Sequence, residues 1–281
     1  MQKKGIGILA FSFLVLLEGC DKNLESALKS SEKDYILSKA YTFYNKKKYT
    51  EALQLFERAV PLVRGLEEDT KELIYKAAMA NYHDKNYILA GHRFNNFYKI
   101  YPRDPQAEEA LFQSAYCYYL ASPDYYLDQD STYNAIRELQ NFINQYPNSQ
   151  KISQANTLMK KLIKKLERKS FEAAKIYHNI MRYKASLVSF QNFINDYPDS
   201  NLKEKASYYM LYAQYELAIN SREDLKKDRL EKTVRLYTQF KKAYPNSKRI
   251  NDTEKIYQKT QQKLKDLSLR TISKHPTEKS S

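Results

Sequence analysis

The 281-residue chain has no tryptophan, two cysteines and five glycines, and these shortages bound the fold before any motif is sought. Gly5, Gly7 and Gly19 lie in the first nineteen residues, so the remaining 262 residues hold only Gly65 and Gly91. Tight strand-to-strand turns lean on glycine for positive φ, whereas Lys, Glu, Gln, Leu and Ala, abundant here, favour helix. An all-α fold is expected. Two cysteines exclude a disulfide framework. Cys117, in the helical run Leu111, Phe112, Ala115, Tyr116, Tyr118, Tyr119, reads as a small core residue, with no His or Asp placed to make it a nucleophile. His83, His92, His178 and His275 are scattered, and there is no HExxH, no paired-cysteine spacing and no Gly-rich phosphate loop. No metal, no cofactor and no catalytic residue are expected.

Long apolar runs are also missing after the first twenty residues, and a membrane-spanning helix needs about 20 of them. The amino terminus has the order of a bacterial export signal instead: Lys3 and Lys4, an apolar stretch from Ile6 to Leu17, then Glu18, Gly19 and Cys20. Leu17 to Cys20 resembles a lipobox, the site at which the cysteine is acylated and the signal cut before it, although Glu18 stands where a small residue is usual. Residues 1–19 then form the signal peptide, Cys20 is the lipidation site and 20–32 a lipidated linker. At about 0.8 kcal/mol per buried methylene, several acyl chains hold permanently. The alternative is an ordinary signal peptide with a chance cysteine, and the absence of a small-x-small cleavage site opposes it.

The chain carries 47 Lys and Arg against 33 Asp and Glu, a net charge of +14, or +13 without Lys3, Lys4 and Glu18. An exported lipoprotein rarely meets nucleic acid, and a Lys-rich helical surface is usually a solvated face, so no nucleic-acid partner is expected. The densest cluster is Lys160, Lys161, Lys164, Lys165, Arg168 and Lys169; anionic lipid headgroups or an acidic partner would suit it.

Self-similarity is the strongest signal. An aromatic, two residues, Phe, three residues and Tyr-Pro recur at Phe94–Phe97–Tyr101–Pro102, Phe190–Phe193–Tyr197–Pro198 and Tyr237–Phe240–Tyr244–Pro245, with a Leu-led copy at Leu139–Phe142–Tyr146–Pro147. Three copies continue into Asn148-Ser149, Asp199-Ser200 and Asn246-Ser247, and the prolines stand 45, 51 and 47 positions apart. Aromatics three and four apart share a helical face, Pro ends the helix, and the following Ser can cap the next. Ala40, Phe43, Tyr49, Ala52, Phe56 and Ala59 complete the pattern of a tetratricopeptide-like helical hairpin, whose small residues let two antiparallel helices approach. Five hairpins are expected, at about 33–62, 70–101, 105–146, 151–197 and 202–244, with a closing helix near 249–268. Together they make an all-α solenoid. Ser122–Ser131 and Asn220–Asp228 are read as loops inserted between first and second helices, and 271–281 as a disordered tail.

The lipobox, the five hairpins and the repeated Tyr-Pro-x-Ser together resemble the BamD family, the lipoprotein subunits of the outer-membrane β-barrel assembly machinery. The most specific stretch is Leu127-Asp128-Gln129-Asp130-Ser131-Thr132 with Ala135, Leu139, Phe142 and Tyr146-Pro147-Asn148-Ser149. High basicity, absent Trp and Glu18 depart from the family pattern. The resemblance implies a protein lipid-anchored to the periplasmic face of the outer membrane, with a BamA-like β-barrel protein, other complex subunits and unfolded outer-membrane proteins as partners. It further implies that 33–146 receives precursors and 147–270 docks partners. By repeat register Tyr41, Tyr44, Tyr75, Tyr82, Phe112, Tyr116 and Tyr119 line a groove that suits an extended strand. With 26 tyrosines in the chain, many of these are equally placed to be core. Another repeat lipoprotein, coordinating envelope or peptidoglycan machinery, is the alternative; a peptidoglycan-cleaving enzyme would need a catalytic domain for which no room remains after Leu267.

Overall fold

The computed structural model describes residues 22–63 and 65–274, with side chains to residue 270. The signal segment 1–19, the lipidation candidate Cys20 and residues 275–281 lie outside the described residues. Among the described residues the regular structure is helical, without strands. Among the described residues two compact units are formed, the first from residues 22–121 with Asn134–Ala155, the second from Ser122–Tyr133 with residues 156–274.

In the first unit α1 (Lys22–Lys29) precedes the hairpin of α2 (Lys33–Asn45) and α3 (Tyr49–Ala59), then that of α4 (Glu67–His83) and α5 (Tyr87–Ile100), then α6 (Ala107–Ala121) with the body of α7 (Asp130–Gln145). Helix α8 (Ile152–Asn179) continues into the second unit, where it pairs with α9 (Tyr183–Asp196), followed by α10 (Lys203–Ile219), α11 (Glu223–Ala243) and α12 (Ile250–Lys274). The five hairpins and closing helix thus stand where the aromatic periodicity placed them, because the small positions are fully buried against large ones. Ala40, Ala52 and Ala59 meet Phe56 in the first hairpin, Ala78 and Ala90 meet Phe94 and Phe97, and Ala174 and Ala206 meet Phe190 and Phe193. Each buried ring contributes roughly 2–3 kcal/mol of apolar transfer.

The two glycines each meet a backbone need. Gly65 has φ +96° in the joint between the first two hairpins, after a short 3₁₀ turn at Val60–Val63. Gly91 lies inside α5, where an added Cβ would stand 3.1 Å from the Tyr118 ring and 3.2 Å from the Ser114 carbonyl, so its bareness permits the α5–α6 approach. The hairpin tips do without glycine. Lys47, Lys85 and Met181 take φ of 61°, 63° and 58°, each donating its N–H to a carbonyl of the finished helix, with the N–H of the next residue bonding the carbonyl one residue further back. This is a Schellman ending built on residues that bear a Cβ.

Four joints share one polar design. The side chains of Ser149, Ser200 and Ser247 accept the N–H of Lys151, Leu202 and Arg249 at 3.1, 2.9 and 3.0 Å, capping the next first helix. Each hydroxyl then donates to a glutamate of the preceding first helix: Glu108 at 2.5 Å, Glu167, and Glu204 at 2.6 Å. Asp104 occupies the same place after Tyr101-Pro102, accepting the N–H of Gln106 at 2.9 Å and pairing with Lys71 at 2.8 Å.

Three expectations are corrected. Residues 22–29, inside the segment read as a linker, form α1, whose Ala27 is buried and whose end carbonyls Leu28 and Ser30 accept hydrogen bonds from Arg58. Residues 223–228 extend α11 and are no loop, since Glu223 pairs with Lys226 and Asp228 with Lys232 at helical spacing. Residues 271–274 belong to α12, as nothing before Pro276 interrupts a helix.

Replacing Lys47 or Lys85 with Gly relieves the Cβ clash of the left-handed region and should raise stability by about 0.5–1 kcal/mol per site, read as a higher urea midpoint. Ser200→Ala and Ser247→Ala each remove a cap and a tie, and should lower stability by about 1–2 kcal/mol in the same measurement.

Candidate functional site

The aromatic residues singled out in sequence all fall in the first unit, on α2, α4 and α6. Each belongs to a first helix, so its backbone is set by the hairpin partner behind it. Tyr41 and Tyr44 pack edge-on against Phe56 of α3, with centroids 5.4 and 6.1 Å apart, and Tyr75 packs on Phe94 and Phe97 of α5 at 5.5 and 5.3 Å. Tyr116 stacks on Tyr119 at 6.0 Å. These tyrosines, with Tyr82, are half-buried: one edge rests on the core and the other faces out.

The rows adjoin. The Tyr41 hydroxyl donates to Glu72 of α4 at 2.5 Å, and the Lys76 ammonium lies 5.8 Å from the Tyr44 ring. Tyr82 stands within electrostatic reach of Tyr116 on α6, and Tyr75 within reach of Tyr44 and Glu109. Burial drives the phenols upward: Tyr75 to about 12, with Tyr41, Tyr44 and Tyr82 also raised, Tyr41 further by its bond to Glu72. They remain hydrogen-bond donors at any physiological pH. A groove of about 580 Å³ opens beside Tyr75, lined by Glu68, Asp69, Glu72, Lys76 and Asp104.

Phe112 does not belong to this wall. It is 3 % exposed, its ring 5.2 Å from Phe142 of α7 and covered by the Lys151 ammonium at 4.8 Å. One turn before its neighbours, it is turned into the core by the approach of α7. His83, one of the scattered histidines, joins the aromatic set: it stacks on Tyr49 at 5.0 Å and meets Tyr44 and Tyr82 edge-on. Its place at the end of α4, directly after Tyr82, was the available signal. Cys117 is fully buried and its thiol is pushed up to about 12 by burial, in keeping with a core role.

The second unit has an apolar groove of about 910 Å³ between the start of α9 and the end of α10, lined by Tyr177, Met181, Tyr183, Val188 and Leu217 with Arg182 at its rim. Met181 is 72 % exposed and Val188 56 %. Behind it His178 contacts Tyr183 of α9 and Tyr209 and Tyr212 of α10, at 6.0, 4.8 and 5.1 Å. Its Nδ1 is buried with no hydrogen-bond partner, and burial lowers its pKa.

The inserted loop before α7 is tied by side chains. The Gln129 amide donates to the carbonyls of Asp124, Leu127 and Asp128, while its oxygen accepts from Thr132 at 2.8 Å. Lys165 reaches Ser122, Lys169 reaches the Leu127 carbonyl, and Arg168 lies 4.2 Å over the Tyr125 ring. Half of the basic cluster of α8 therefore holds a loop in place.

The sequence profile of a family described as YfiO, outer membrane lipoprotein, matches residues 29–230. A Caulobacter vibrioides protein described as outer membrane protein assembly factor BamD is 23 % identical over 172 residues, 61 % of this chain and 56 % of that protein, so the match spans little more than half of that relative's length. The TPR2AB domain of yeast Sti1 in complex with pHSP90 superposes with a TM-score of 0.37 at 13 % identity, over 86 % of this chain and 96 % of that one, too loosely to carry an argument.

A histidine whose folded pKa is depressed destabilises the fold once the unfolded chain takes up its proton first, at about pH 6.5. Stability should therefore fall as pH drops through that value toward the folded pKa. His178→Phe, which keeps the ring contacts, should lose this part of the decline in thermal melts recorded from pH 8 to 5.

Proposed function

The chain belongs to the YfiO family of outer membrane lipoproteins, and from that we propose that it is a scaffold for the assembly of outer-membrane β-barrel proteins, tethered through Cys20 to the periplasmic face of the outer membrane. The observation that carries the reading is the aromatic wall of the first unit. It receives the last strand of an unfolded barrel precursor. Such a strand alternates apolar and polar residues and ends in aromatics; the rings of Tyr44, Tyr75, Tyr82, Tyr116 and Tyr119 pack on its apolar side and their hydroxyls serve its backbone. The scaffold binds, orients and releases, without a chemical step of its own.

The groove of the second unit is the surface on which a BamA-like β-barrel subunit docks. Exposed Met181 and Val188 supply the apolar centre and Arg182 and Lys184 the basic rim, an arrangement of desolvated middle and polar edge that suits a protein partner.

The double variant Tyr44→Ala, Tyr82→Ala removes two ring contacts of about 1 kcal/mol each and should weaken binding of a last-strand peptide roughly tenfold or more in a fluorescence titration; unaltered affinity removes the peptide site. Val188→Asp, at an exposed position, should leave the melting temperature unchanged and abolish co-purification of the barrel subunit from detergent-solubilised envelopes.

A further inference from the structure

We propose that the second unit carries a membrane-contact surface of its own, formed by the inserted loop with the first turn of α7 (residues 122–133) and the basic face of α8, that rests on an anionic bilayer. The inference assumes the membrane tethering of the preceding section but involves neither the peptide wall nor the apolar groove.

Three observations converge. First, the loop is tied down and presents apolar groups outward: Gln129, Lys165, Lys169 and Arg168 hold it, yet Tyr126 is 66 % exposed and Leu127 49 %, with Tyr133 in the first turn of α7 at 58 %. Ordering a loop costs entropy, and one ordered to keep rings in solvent is built for contact. Second, the charges are unbalanced. Asp124, Asp128 and Asp130 are equalled in number by Lys165, Arg168 and Lys169 in the same assembly, with Lys165 in the field of Asp124; Asp124 accepts the Tyr126 hydroxyl and Asp128 accepts the Asp130 N–H. Lys160, Lys161 and Lys164 then remain exposed in surplus, with Ile163 among them at 42 % exposure. Third, the two parts are continuous: Lys160, Lys164 and Arg168 follow at four-residue intervals along one face of α8, and that row ends where Arg168 covers Tyr125, next to Tyr126.

Tyrosines and a leucine beside a row of lysines match the headgroup region of a bilayer, where amphipathic rings settle and each cation near an anionic surface gains about 1 kcal/mol. A soluble acidic partner would engage the lysines but has no need of a fixed Tyr126–Leu127 tip.

The test is flotation of the full mature chain carrying Cys20→Ser, so that no acyl chain contributes, with phosphatidylglycerol-containing or pure phosphatidylcholine vesicles. Binding to the anionic vesicles, weak binding to the neutral ones and loss at about 0.5 M salt are expected. Lys160→Glu with Lys161→Glu and Lys164→Glu should reduce anionic-vesicle binding at least 100-fold, and Tyr126→Ser with Leu127→Ser at least fivefold, both with unchanged circular dichroism and unchanged affinity for the strand peptide. Absence of binding to anionic vesicles, equal binding to both lipids, or a lysine variant that floats like the parent overturns the proposal. So does a lysine variant that loses only a co-purifying acidic protein. In each such case the peptide titration still reports independently on the assembly reading.

Discussion

One contact is repeated at each joint of this protein: a polar residue at the start of a hairpin reaches back to a fixed point on the preceding first helix. That point lies seven residues, two turns, before the close-packing position: Lys33 before Ala40, Lys71 before Ala78, Glu108 before Ala115, Glu167 before Ala174 and Glu204 before Leu211. Lys33 pairs with Asp69 at 3.1 Å and Lys71 with Asp104 at 2.8 Å, and the three glutamates accept from Ser149, Ser200 and Ser247. Apolar packing of Ala against Phe is strong but has little direction. The tie has direction. Within each unit it sets how far a hairpin slides along its predecessor, and in four of the five joints the same atom group also caps the helix that follows.

This fixes the functional faces as well as the fold. The tyrosines of α2, α4 and α6 adjoin because their helices are indexed by the Lys33–Asp69 and Lys71–Asp104 ties, and the hairpin partners hold one edge of each ring. What faces outward is the other edge, while the Tyr41 hydroxyl is engaged by Glu72. In the second unit the Ser200 and Ser247 joints index α8, α10 and α12 in the same way, and the apolar groove lies at the opposite end, beside the Met181 tip, where the chain turns within a hairpin. Joints and tips thus divide the labour: polar ties at one end, exposed contact groups at the other.

Much of this was legible in the residues. Tyr-Pro after a paired aromatic states a helix, its buried face and its end at once, so hairpin limits follow closely. The serine caps were legible from their spacing; Asp104, at the same place in the second hairpin, was concealed by a change of residue type. Phe112 shares the period of the groove tyrosines, and only the approach of α7 decides that it is core. The basic run of α8 reads as one cluster, yet Lys165 and Lys169 point at a loop more than thirty residues earlier, a long-range fact that no local pattern carries. The left-handed tips at Lys47, Lys85 and Met181 gave no sign either, because they use residues that ordinarily avoid that conformation. The extension of α11 over 223–228 was hidden by a polar composition shared by loops and solvated helices.

The ties change polarity along the chain, cation to carboxylate at the first two joints and hydroxyl to carboxylate at the last three. A hairpin displaced by one repeat, or exchanged between two molecules out of sequence, would set Asp104 against Glu108, carboxylate against carboxylate. Stacking across the change of polarity is therefore opposed by the same contact that rewards correct stacking: a hairpin that opens with a carboxylate is turned away by the helices that carry a glutamate at the tie.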